Sequence, residues 1–257
     1  MSKFVDLNSD IGESFGTYHL GMDEAVMEHV TSVNIACGWH AGDPVIMEKT
    51  IRSAKAHDVA VGAHPGYPDL LGFGRRKMAI TPEEARAYMI YQLGAFTGFA
   101  QANGMKVQHM KLHGAYYNTV CNDKALADAV LDGIEAAAPD VMIVLLSGSY
   151  MAKEGIRRHL KIAQEVFADR GYNSDGTLVN RNLPGAFVRN PTEAIERVKE
   201  MVLDKCVTAV SGEKIEIIAD SICVHGDNPQ AVAFAEMIRK ELVASGITVA
   251  SLGSWKK

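Results

Sequence analysis

Acids, bases and cations gather in six short stretches of this chain: Asp6-Leu7-Asn8-Ser9-Asp10, Asn34 through His40 to Asp43, His64-Pro65 with Arg75-Arg76 beyond it, Lys111-Leu112-His113, Glu165 through Asp169-Arg170, and His225-Gly226-Asp227. A lysine beside a histidine and several carboxylates suits proton transfer with a fixed cation held against a developing oxyanion or a phosphoryl group. His109, Lys111 and His113 alternate with Met110 and Leu112, so an extended backbone points all three to one face. Each residue also has a plainer reading. His40 and His225 read equally as hydrogen-bonded structural histidines, Asp43 precedes Pro44 as a helix cap does, and one of Arg75 and Arg76 fits solvated surface. His19, His29, His57 and His159 stand apart from these stretches and are expected on the surface. As a group the residues resist the plain reading. Burying unpaired charge costs several kcal/mol, so stability alone gives no reason to collect Asp6, Asp10, Lys111, His113, Glu165 and Asp169 around one rim.

The chain contains no GxxxxGK[ST] loop, no GxGxxG between strand and helix, and no HExxH, so no nucleotide cradle of its own is expected. His109 and His113 are four residues apart, but on a strand that is roughly 13 Å, too far for one metal. A metal would have to be held across strands, by Asp10, His40, His64 or Asp6.

The elements that must position these residues alternate. Strands are expected around Lys3–Leu7, Ser32–Ala36, Val59–Ala63, Val107–Leu112, Val141–Leu146, Ile162–Phe167 and Ser221–Val224, with helical periodicity between them. Asp43-Pro44, Thr81-Pro82, Asn190-Pro191 and Asn228-Pro229 each place a capping side chain before a proline at the first helical position. Asn103-Gly104 and Ser245-Gly246 supply helix stops. Phe234, Ile238 and Leu242 form one apolar stripe on the last helix. The stretch 171–190 is the one long loop, and long loops in compact domains are usually functional. No linker divides the chain, so residues 1–257 are expected to form a single domain.

The polar stretches follow the strands directly, and this position selects the architecture. An open doubly wound sheet binds ligand at a switch point and needs only two or three decorated strand ends. A closed barrel brings every C-terminal strand end to one rim. Only the fifth strand, followed by Ser147-Gly148-Ser149, lacks an ionisable group. A β/α barrel of about seven parallel strands is therefore expected.

Composition sets the outer bounds. The 257 residues are 47% hydrophobic, and Lys+Arg 26 against Asp+Glu 31 gives a net charge of −5. Such a chain folds rather than remaining disordered, and it lacks the basic footprint of a nucleic-acid binder. The start MSKFVDLNSD turns polar at once, and the longest aliphatic run, Val141 to Leu146, cannot span a bilayer. A cytoplasmic protein with no membrane partner is expected, its four cysteines reduced.

The motifs DLNSDIGESFG, NIACGWHAGDP, GAHPGYPDLLGFGRR, KLHGAYYN, EVFADRGY followed by DGTLVNR, and CVHGDNP closely resemble the LamB/YcsF family, in order and across nearly the whole chain. Trp39 stands where Phe is usual and Leu112 where Pro is usual; Ser9 occupies a site often held by Cys or Ala, which removes a thiol nucleophile there. The resemblance implies a glycoside hydrolase/deacetylase-like β/α barrel. It further implies ATP-dependent opening of the lactam 5-oxo-L-proline to L-glutamate, with this chain as the A subunit of a 5-oxoprolinase beside partner subunits B and C. An unstrained lactam is a poor electrophile, so coupling to ATP, which would bring Mg, converts its oxygen into a phosphate leaving group. With no phosphate loop on this chain, ATP is expected to be used by the complex and bound on the partners.

On that reading Asp10 or His64 activates water, and Lys111 and His113 stabilise the oxyanion or protonate the leaving nitrogen. Arg75 or Arg170 pairs with the substrate carboxylate or phosphate, while Asn8, Asn34, His40 and Asp43 orient the groups around it. Glu165, Asp169 and His225 complete the expected binding set, and Arg181 in the long loop reads equally as a closing residue or as surface. Two rivals stay open: a metal-dependent carbohydrate deacetylase-like hydrolase on the same barrel, and a non-catalytic protein that binds the lactam for its partners.

Overall fold

The computed structural model describes residues 3–224, 226 and 228–256. Strands β1 (Lys3–Ile11), β2 (Ser32–Ala36), β3 (Ala60–His64), β4 (Val107–Met110), β5 (Met142–Leu146) and β6 (Ile162–Phe167) pair in sequence order. After a small antiparallel hairpin, β7 (Cys206–Thr208) with β8 (Lys214–Glu216), strand β9 (Ser221–Val224) pairs with both β6 and β1 and closes the sheet. The result is the expected parallel barrel. Strand β10 (Ile247–Val249) adds to the first residues of β1 from outside, a pairing not expected from sequence.

Among the described residues, α-helices flank these strands in chain order: α1 (Asp23–Met27), α2 (Pro44–Ala56), α3 (Pro82–Ala102), α4 (Gly114–Val120), α5 (Lys124–Ala137), α6 (Tyr150–Arg157), α7 (Pro191–Lys199), α8 (Pro229–Ala244) and the short α9 (Leu252–Trp255). All four expected proline-led starts form. Asp43, Thr81, Asn190 and Asn228 each accept backbone N–H groups of the first turn, and Thr81 with Glu84 makes a reciprocal capping box. Ile238 and Leu242 of α8 are buried, with Phe234 half-buried beside them.

Alternation along β1 divides the structure into two chemistries. Val5, Leu7 and Ile11 are buried in the main apolar core, while Asp6, Asn8 and Asp10 bond to one another's neighbours across the sheet. The apolar set faces the helices and the polar set fills the barrel interior. The end of the barrel from which β1 starts is closed by apolar residues: Met142, Val144, Ala163 and Leu252 cluster there with Trp255, which stacks on Phe4. Gly62 on β3 is required by this interior, since a Cβ there would lie 2.3 Å from the His109 ring. No helix among the described residues is long and apolar enough to cross a membrane.

Candidate active site

The interior polar groups form a saturated network. Thr31, Ser32 and Ser221 donate their hydroxyls to Asp6. Asn8 donates to Glu165 and to Ser221, and its carbonyl accepts from Asn34 and Lys111. Asn34 also donates to Asp10 and accepts from His109 Nε2 at 2.7 Å. Lys111 Nζ lies 2.7 Å from Glu165 and 3.1 Å from Asp10, and Tyr117 donates to the other Glu165 oxygen. Every side chain of this set has partners for its donors and acceptors, as buried polar groups require.

Electrostatics follow from that wiring. Burial pushes the Asp6 carboxyl up to about 6, even though three hydroxyls favour its ionised form. Burial acts in the same direction on Asp10, but His64 and Lys111 beside it outweigh that and hold the carboxyl well below the ordinary range. Burial would lower Lys111; Asp10 and Glu165 more than reverse it, so the ammonium is a permanent cation. His109 is pushed down to about 3, first by burial and then by Lys111.

Above this network, where β1, β2, β3 and β4 end, three histidines meet. His40 stacks flat on His113, with ring centres 3.7 Å apart, and His64 stands edge-on to both. Carbonyl oxygens only accept, so two ring nitrogens must carry hydrogens: His64 Nδ1 donates to the Lys111 carbonyl and His113 Nε2 to the Phe73 carbonyl, each at 2.8 Å. The remaining nitrogens, His64 Nε2 and His113 Nδ1, face each other at 3.1 Å. Asp10 lies 3.3 Å from His64 Nε2, and Glu13 lies 4.0 Å from both His40 and His113. Neither ring nitrogen of the fully buried His40 has a hydrogen-bond partner among the described residues. Burial keeps His40 well below its usual pKa and pushes His113 down to about 3.

Asp10, Glu13, Lys111 and His113 open onto a narrow pocket of about 50 Å³, walled by Tyr117, Phe167, Arg75, Arg170 and Arg181 among others. Arg75 and Arg181 are exposed at its lip, each over an aromatic ring. Arg76 turns away to pair with Asp69.

The expected residues thus divide. Asp10, His64, Lys111, His113, Asn8, Asn34, His40, Arg75 and Glu165 come together. Asp6 does not reach the rim; it sits four residues, roughly 13 Å along the strand, below Asp10, held by three hydroxyls. Asp43 is taken up by the α2 cap and by the Gly16 N–H. Asp169 lines a separate cavity with Val188, Arg189 and Cys223. Arg170 reaches the pocket, but its guanidinium donates to the Val179 and Ala186 carbonyls and braces the long loop. His225 lies outside the described residues. Sequence reasoning did not single out Glu13 or Tyr117. Glu13 stands in the same post-strand run as Asp10, and Gly12, at φ +68°, turns the chain there.

A closed parallel β/α barrel with buried acid, lysine and histidine at the strand ends has the build of a barrel enzyme. Comparison with known proteins narrows the class. The LamB/YcsF family model matches residues 5–257, and the chain belongs to that family. The 5-oxoprolinase A subunit of Fusobacterium nucleatum subsp. nucleatum is 70% identical over 252 residues, 98% of each chain. That of Thermococcus onnurineus is 57% identical over 251 residues, again 98% of each. The crystal structure of a lactam utilization protein from Thermus thermophilus superposes with a TM-score of 0.90 at 41% identity, covering 96% of this chain and 98% of that one.

Proposed function

We propose that this chain is the A subunit of an ATP-dependent 5-oxoprolinase and performs the ring opening of 5-oxo-L-proline to L-glutamate. The observation that carries the reading is the pocket itself, in which a permanent lysine cation and an ionised carboxylate lie beside histidines, beneath two guanidiniums. Family membership and the names of close relatives support the substrate.

In this proposal the cytoplasmic complex uses ATP with Mg on subunits B and C to phosphorylate the lactam oxygen. Arg75 and Arg181 receive the carboxylate or phosphate of the activated substrate. Water attacks the activated carbon, and the Asp10–His64 pair takes its proton. Lys111 holds negative charge on the oxygen without giving up a proton, since its carboxylate partners keep it charged. The ring C–N bond breaks, the nitrogen leaves protonated, and a second water releases phosphate, so one lactam, one ATP and two waters give glutamate, ADP and phosphate.

The test measures glutamate and ADP from 5-oxoproline and ATP with subunits B and C, with and without this chain. Glutamate only when the chain is added, with lactam-dependent ATP use by the partners alone, supports the assignment. Glutamate at full rate from the partners alone makes the pocket a binding or channelling site.

A further inference from the structure

We propose that His40, His64, His113 and Glu13 hold a divalent transition-metal ion of the zinc class at the barrel mouth. One nitrogen of each ring and a Glu13 carboxylate oxygen lie within 4.8 Å of one another.

Hydrogen placement argues for a cation. With Nδ1 of His64 and Nε2 of His113 committed to backbone carbonyls, their other nitrogens point lone pairs into the same space 3.1 Å apart. Asp10 adds a carboxylate oxygen 3.3 Å from one of them. Something positive must sit among these acceptors. A proton on His64 would satisfy Asp10 or His113 but leaves the buried His40 nitrogens without a hydrogen bond, a loss of ~1–3 kcal/mol. A cation bound by all three rings engages the facing lone pairs of His64 and His113 and one of the two His40 nitrogens, with the His40 ring tilted out of its parallel stack on His113.

The surroundings fit that role. Metal-bound histidines characteristically donate their far nitrogen to a carbonyl or carboxylate, which fixes ring orientation; His64 and His113 both do so here. Three imidazoles and one carboxylate favour zinc, cobalt or nickel over magnesium, which takes oxygen ligands. Donors around tetrahedral zinc are roughly 3.3 Å apart. His64 and His113 already meet that spacing; Glu13 lies 4.0 Å from His40 and His113, and within the whole set, whose atoms lie within 4.8 Å of one another, the ligands need to draw in by up to ~1.5 Å. Gly66 leaves the space occupied by the His40 ring, because a Cβ there would lie 2.3 Å from Nδ1. An ion at this place would supply Lewis-acid polarisation to whatever enters the pocket, and with the His64 Nε2 lone pair taken by the ion the proton of water would pass to Asp10 alone.

Binding is measured without turnover, so failure here leaves the ring-opening reading intact. The full-length chain without a histidine tag is stripped with a chelator and titrated with Zn²⁺ by calorimetry, with metal content counted after dialysis. The visible spectrum of the Co²⁺ form reports coordination. One equivalent per chain and a tetrahedral Co²⁺ spectrum are expected. His40→Ala and His113→Ala should each weaken binding by ~100-fold or more and Glu13→Gln by ~10-fold, while His57→Ala, at an exposed site, should change nothing. Circular dichroism of the stripped variants separates lost binding from lost folding, and His113→Gln gives a second reading if an alanine variant fails to fold. No saturable Zn²⁺ binding by the wild-type chain, or binding unaltered in folded His40→Ala, overturns the proposal.

Discussion

The barrel interior and its mouth are built from the same residue types and differ in how completely those groups are paired. Around Asn8, both amide hydrogens and the carbonyl oxygen are used, and Lys111 bridges two carboxylates. A few ångströms above, His40 has no hydrogen-bond partner among the described residues, and two other imidazoles turn acceptors toward each other. A saturated network holds a shape; an unsaturated one is held in place by its surroundings and waits for a ligand, proton or substrate. Lys111 and Asp10 belong to both regions, which explains how the interior can fix the geometry of the mouth.

Removing Lys111 should break this contrast most severely. Lys111→Met leaves Glu165 buried without its cation and should destabilise the fold by ~3–5 kcal/mol, seen as a lower urea midpoint with turnover lost. A loss under ~1 kcal/mol would mean that the interior is not the rigid support described.

Titration separates the two regions next. The folded pKa of Asp6 is about 6 against an ordinary value of 3.8, so the native state binds the extra proton. Its stabilisation is fully present below 3.8 and is lost as pH rises to about 6, a change of about 3 kcal/mol at 1.36 per unit. Asp10 shifts the opposite way, and its contribution is lost only as pH falls below the ordinary carboxylate range. Unfolding free energy of wild type minus Asp6→Asn, followed from about pH 7 to about pH 4, should therefore rise as the solution is acidified. A flat difference would place Asp6 in a wetter site than its three hydroxyl partners indicate.

At the mouth, Asp10→Asn and His113→Ala should each lower turnover of the reconstituted complex by ~100-fold or more, with urea midpoints shifting far less than in Lys111→Met. Full activity in both would remove the acid-base assignment. The smallest effect is expected at Asp43, which serves the α2 cap: Asp43→Ala should cost ~1 kcal/mol and leave turnover within about twofold. A large loss of activity at unchanged stability would return Asp43 to the site.

Much of the fold was legible because its signals are local. Ser32–Ala36, Ile162–Phe167 and Ser221–Val224 form strands with the bounds their composition suggests, and proline-led caps announced four helices. The hairpin of β7 and β8 carried a readable sign in Ser211-Gly212 between β-branched residues. Strand β10 did not: three residues become a strand only because the edge of β1 is there to pair with them. Within the site, the post-strand clusters pointed to Asp10, His64, Lys111 and His113, whereas Asp6 and Asp10 look alike in sequence and are separated only by depth.

The sequence alone determined which residues face the barrel interior, since alternation is a property of the extended chain, and it determined the parallel closed architecture through the repeated decoration of strand ends. Tertiary structure decided everything that depends on neighbours from other strands. It committed Asp43 and Arg170 to local bonds, brought Glu13 to histidines from three other strand ends, and assigned imidazole hydrogens through carbonyls distant in sequence. Pairing and burial set the charge of a side chain here, and both arise only when the barrel closes.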